Sequence, residues 1–134
     1  MPCFHSSSFV ICAKGYLFTI LEEMANRSYL SEVELMVMLA VMRLDDTAYG
    51  VPISRELEEI GGRELPMGSI YATLERLEKK GLISSNVGEP TPERGGRAKR
   101  YFRVTVRGLR EVRKTRHALV SLWRGLTELE GGRL

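Results

Sequence analysis

The chain has 134 residues, 43% of them hydrophobic and 28% charged, with a formal charge of +3. That size suits one compact domain with some additional chain. The charged fraction beside ordinary apolar content excludes a disordered or low-complexity protein, and no run approaches the ~18 apolar residues of a spanning helix. The charge is uneven. Between residues 66 and 116 thirteen basic residues stand against five acidic ones, a local charge of +8 that leaves −5 on the remainder. Polyanions read such a pattern, nucleic acid first among them, although a solvated charged surface has the same composition.

Cys3 and Cys12 are too few and too terminal to frame a disulfide-stapled fold, which favours a reduced, cytoplasmic setting. With His5 they form a loose Cys-x-His-x6-Cys array without a fourth ligand, so no metal is expected. Phe9 to Leu21 is apolar apart from Lys14, Gly15 and Thr19, yet it lacks the basic leader and cleavage site of a secretory signal. Residues 1–28 read as an extension, with Met24 as the expected natural start.

Ser31-Glu32-Val33-Glu34 is a capping box and predicts a helix beginning there. Val33, Val37, Ala40, Val41 and Leu44 recur at helical spacing, and Leu35, Met36, Met38 and Leu39 widen the apolar surface almost all round. A helix of that kind can serve core and partner at once. Asp45, Asp46 and Tyr49-Gly50 break it. Pro52 suits the first turn of a second helix running to about Ile60, stopped by Gly61-Gly62. Met67 to Lys80 predicts a third, ended by Gly81, with Ile70, Leu74 and Leu77 as its buried stripe and Ser69, Ala72, Thr73, Arg76 and Lys80 facing elsewhere.

Leu82 to Val87 and Tyr101 to Val104 read as two short strands. Two prolines and Gly95-Gly96 make the stretch between them a long hairpin tip. Thr105 then caps a last helix expected from about Val106 to Leu129, ~36 Å long at the helical rise.

Three helices followed by a two-stranded hairpin is the order of a winged helix-turn-helix, mainly α with a small β-hairpin. Five of the ten residues from Arg94 to Arg103 are basic, and Gly95 and Gly96 let that backbone approach a duplex closely. Candidate DNA contacts on the hairpin are Arg94, Gly95, Gly96, Arg97, Lys99 and Arg100. On the third helix, Ser69 and Tyr71 lie near the N-terminus, where free amides favour a phosphate. Tyr71 can equally pack as core. Ala72, Thr73 and Arg76 are placed to reach base edges.

Tyr49-Gly50-Val51-Pro52-Ile53, the run from Gly68-Ser69-Ile70-Tyr71 through Glu78-Lys79-Lys80-Gly81-Leu82-Ile83, Arg94-Gly95-Gly96-Arg97-Ala98-Lys99-Arg100-Tyr101-Phe102 and Thr105-x-x-Gly108 follow one another between Leu30 and Leu126. Together they resemble the PadR-like family of bacterial transcriptional regulators. The resemblance implies a homodimeric winged-helix repressor on an inverted-repeat operator, often relieved by a small, commonly aromatic, ligand. It points to the shorter branch, with a single C-terminal helix. Residues 1 to 27 have no counterpart in that pattern.

Leu109, Val112, Leu119, Leu122, Trp123, Leu126 and Leu129 form an apolar stripe on a helix too long to be covered by so small a domain. Self-association through this helix and the first puts Val37, Val41, Leu119, Leu122, Trp123 and Leu126 at the expected dimer interface, and the resemblance implies that Trp123, the sole tryptophan, is also a candidate ligand contact. The expected division is an extension over 1–28, a DNA-binding domain over 29–104 and a dimerisation helix with tail over 105–134. No cofactor is implied. Two histidines, no paired nucleophile and no phosphate-cradling loop after a strand argue against an enzyme. A winged-helix module that turns its basic hairpin on an acidic protein is the alternative to a DNA binder.

Overall fold

The computed structural model describes residues 17, 29–88 and 98–130. The extension, with Cys3, His5, Cys12 and Met24, and the hairpin tip, with Arg94, Gly95, Gly96 and Arg97, lie outside the described residues. Among the described residues no helix is long and apolar enough to cross a membrane.

Helix α1 spans Glu32–Leu44 and opens with the capping box that its sequence predicts. The Glu34 amide donates to Ser31 Oγ at 3.3 Å, and Glu34 Oε2 accepts the Ser31 amide at 3.0 Å. Val37, Met38, Ala40 and Val41 are buried, and α1 packs against the two helices that follow it, the second strand of the hairpin and the long C-terminal helix. It is the axle of the core. Asp45 ends it at φ +47, a conformation that a short polar side chain tolerates better than most. A 3-10 turn over Asp45–Thr47 follows, and the Ala48 carbonyl then accepts the Phe102 amide at 2.8 Å.

Helix α2 covers Gly50–Glu59, two residues earlier than Pro52 alone suggests. Pro52 still falls in the first turn, where the amide it lacks would have had no carbonyl partner. Gly62 and Gly81 take positive φ beyond the ends of α2 and of α3, the latter Met67–Lys79. Strands β1 (Ile83–Val87) and β2 (Arg100–Val104) pair antiparallel with Ser85 opposite Phe102. That register turns Ile83 and Phe102 into the core and leaves Ser84 and Arg103 on the other face. The result is a winged helix-turn-helix, mostly helical with one two-stranded sheet.

Helix α4 covers Val106–Trp123, with Thr105 Oγ1 accepting the Gly108 amide at 3.0 Å. It stops six residues short of the expected Leu129. Gly125 adopts φ +82, and the short helix α5 (Thr127–Glu130) lies beyond it. The apolar period runs on through the break, but glycine's access to left-handed backbone decides the local conformation.

Candidate nucleic-acid interface

Helix α3 buries Ile70, Leu74 and Leu77 and turns Ser69, Ala72, Glu75, Arg76 and Lys79 to solvent. Thr73 departs from the expected set. It is buried and donates to the Ser69 carbonyl at 2.8 Å, because it sits one residue before Leu74, on the flank that meets the core. It cannot reach a base edge.

Arg76 is held from two sides. Its Nη2 donates to Thr73 Oγ1 at 3.4 Å and its Nε lies 3.9 Å from Glu34 Oε1, with 59% of the side chain exposed. Glu34 also accepts from Lys80 Nζ at 2.6 Å. Burial alone would raise this carboxyl. Hydrogen bonds from Lys80 and the Ser31 amide, with the charges of Lys80 and Arg76, outweigh that and hold its pKa below the usual carboxylate range. The N-terminus of α1 thus fixes one flank of α3.

Tyr71 marks the other flank and leads to the wing. A Cβ on Gly50 would fall 2.8 Å from Tyr71 Cζ and 3.0 Å from Met67 Cε, so only glycine lets the phenol lie across the start of α2. Tyr71 as a whole is 40% exposed, so it is not a core residue. One residue before Gly50, the ring of Tyr49 meets Tyr101 edge-on at 5.7 Å and carries Lys99 Nζ 4.5 Å above its centroid. Gly50 itself is buried beneath the Tyr71 ring, and Tyr49, the residue before it, carries Lys99 at the foot of the wing, so α3, the α2 N-terminus and the wing base meet here.

Arg100 serves differently from Lys99. Its guanidinium pairs with Glu78 of α3, which also accepts from Ser85 Oγ at 2.6 Å, and lies 5.3 Å over the Phe102 ring. That ion pair anchors the wing to α3. Arg103 pairs with Asp46 in the same manner across the turn after α1.

Of the expected interface residues, Val37 and Val41 lie in the core of the protomer at 0% and 1% exposure and have no surface to offer a partner. Helix α1 presents Leu39 and Met42 instead, because its apolar residues encircle it and the face with more contacts turned inward. Leu119, Leu122, Trp123 and Leu126 are exposed together. Glu75, Tyr49 and the anchoring role of Glu34 escaped the sequence reading. Helical spacing from Ala72 and Arg76 already placed Glu75 outward, whereas nothing local in the sequence reveals that Glu34 meets Lys80, 46 residues away.

The model of the family described as "Transcriptional regulator PadR-like family" matches residues 38–114, from within α1 to within α4. The chain belongs to the PadR-like family. It is 36% identical over 88 residues to the transcriptional regulator Rv3488 of Mycobacterium tuberculosis, covering 66% of this chain and 75% of that protein. A PadR family transcription regulator from Clostridium difficile superimposes with a TM-score of 0.59 at 20% identity, covering 75% of this chain and all (100%) of the other. One from Eggerthella lenta has a TM-score of 0.55 at 23% identity over 92% of this chain and 99% of its own. At such identities the structures speak for a shared fold, and the family match for a shared role. This PadR-like protein is a regulator of transcription and not an enzyme.

Proposed function

We propose that this PadR-like regulator is a homodimeric repressor that binds an inverted-repeat operator through α3 and the wing. The observation that carries the reading is the exposed outward arc of α3, with Tyr71 lying over the buried Gly50 at the α2 N-terminus and Lys99 on the Tyr49 ring next to it. It matches the shape of a duplex, with a helix for the major groove and, beside it, a helix N-terminus and a cation for phosphates. Pairing is supported by the exposed apolar group at the end of α4, where Leu122 is 75% and Trp123 52% exposed. Two such protomers would offer two recognition helices to half-sites about one duplex turn, ~34 Å, apart. Relief by a small flat aromatic ligand rests on Trp123 in that same group, where a paired molecule would bring two indoles together.

The test is footprinting of the full chain on the DNA upstream of its own gene, with the mass in solution measured by light scattering. A symmetric protected region and a dimeric mass are expected. A monomer that leaves this DNA unprotected even in dilute salt overturns the reading.

A further inference from the structure

The geometry points to Glu75 as a specificity-determining residue, whose carboxylate accepts a hydrogen bond from the amino group of one cytosine in each half-site. The inference rests on the duplex-binding reading above and names a base that this surface reads. At about 100° per residue, Glu75 lies about 60° to one side of Ala72, and Arg76 about 40° to the other. Gly68 and Lys79 fall between Glu75 and Ala72 on the same arc. At Ala72 and Gly68 the arc is low, since Ala72 carries one methyl and a Cβ on Gly68 would meet nothing within 4 Å, and the long Lys79 side chain stands one turn further toward the C-terminus. A base edge can therefore come close to both flanking charges.

The other two acids of the basic segment among the described residues are engaged. Glu78 is taken by Arg100 and Ser85, and Glu111 by Lys114. Glu75 enters no ion pair among the described residues and stands in solvent on the face most suited to a groove. A carboxylate there opposes attraction to phosphates, so a face built only for charge would be better without it. It gains only where the groove presents a donor. Guanine and thymine present acceptors in the major groove, and adenine sets its amino group beside the acceptor N7. Cytosine N4 offers a donor with no acceptor on its own edge. Arg76 on the opposite flank suits guanine O6 and N7, so the two side chains divide the acceptor and donor sides of G·C-rich steps.

The experiment enriches duplexes from a randomised pool with the full-length wild-type protein, Glu75→Ala and Glu75→Gln, then measures affinity for the wild-type consensus and its single-base variants. The assignment expects cytosine at one position per half-site for the wild type. Glu75→Ala then loses preference at that position alone and binds the consensus about tenfold more weakly. Glu75→Gln moves the preference there toward adenine, which glutamine pairs through N6 and N7. If both variants enrich the wild-type motif unchanged and bind every duplex more tightly, Glu75 merely repels phosphates and the assignment is wrong. Should the wild type itself enrich nothing, the duplex-binding reading fails first, visibly and before any variant is compared, and takes the assignment with it.

Discussion

Glu34 closes the N-terminus of α1 and, through the same carboxylate, accepts from Lys80 at the far end of α3, 2.6 Å away. One buried group thereby satisfies a helix cap and ties the C-terminal end of α3 to α1. Replacing it with Gln keeps an acceptor but removes the charge, at an expected cost of about 1–2 kcal/mol near neutral pH. Because the folded-state pKa is depressed, the contribution is fully present above the ordinary glutamate value of ~4.3 and is lost as pH falls through the lower folded value. Urea titrations should show a constant gap between wild type and Glu34→Gln from about pH 7 to about pH 5, closing below about pH 4. A gap undiminished at about pH 3 would mean that charge is not what Glu34 supplies.

Gly108 sets how closely α4 approaches the β1 entrance. A Cβ there would stand 2.9 Å from the Leu82 carbonyl carbon and 2.9 Å from Met38 Cε, and the Leu82 backbone has nowhere to retreat. Gly108→Ala should destabilise by about 2 kcal/mol or more. Gly68→Ala, facing open space in the first turn of α3, should instead be neutral or stabilise by up to ~1 kcal/mol. Thermal unfolding of the two variants reads both signs.

Lys99 and Arg100 are adjacent cations with different work, and salt titration separates them. Lys99→Ala should make the slope of log affinity against log salt shallower by about one while leaving stability within about 0.5 kcal/mol. Arg100→Ala should change that slope less and lower stability by roughly 1 kcal/mol, since its charge is already shared with Glu78. Equal slope changes would show that the Glu78 pair opens when a duplex arrives.

The apolar end of α4 makes the oligomeric prediction. Leu122→Asp, at a position 75% exposed in the protomer, should leave far-ultraviolet dichroism unchanged and convert a micromolar dimer to a monomer. Its affinity for paired half-sites should fall at least tenfold. Persistence of the wild-type mass would place the interface elsewhere.

Trp123 offers a direct readout of an effector. A flat aromatic acid or phenol that binds beside it should quench its emission saturably, with a matching loss of duplex affinity by reciprocal coupling. Quenching without that loss would separate binding from regulation.

The three helices and the hairpin were legible because each carries local punctuation. Ser31 and Glu34 write the start of α1, Gly62 and Gly81 follow the ends of α2 and α3, and Ile70, Leu74 and Leu77 name the inner face of α3. What a sequence leaves open is the angle at which one element meets another. Thr73 lies on the boundary between faces and goes inward, Val37 and Val41 belong to a helix apolar on every side, and Gly125 breaks a stripe whose period continues past it. The site was legible as a basic, polar region. Its internal wiring, Glu34 to Lys80 and Glu78 to Arg100, depends on contacts between residues far apart in the chain and has no local signature.

Helix α4 is rooted through Gly108, Val112 and Thr115, the last accepting the Leu30 amide at 3.3 Å, and none of its residues after Thr115 is buried. Its N-terminal half is thus a socket and its C-terminal half a handle. At ~1.5 Å per residue the eight residues beyond Thr115 reach about 12 Å, so a tilt of about 10° there moves the free end by about 2 Å. In a paired molecule, that leverage would turn a small rearrangement beside Trp123 into a mismatch of span that a rigid duplex cannot follow.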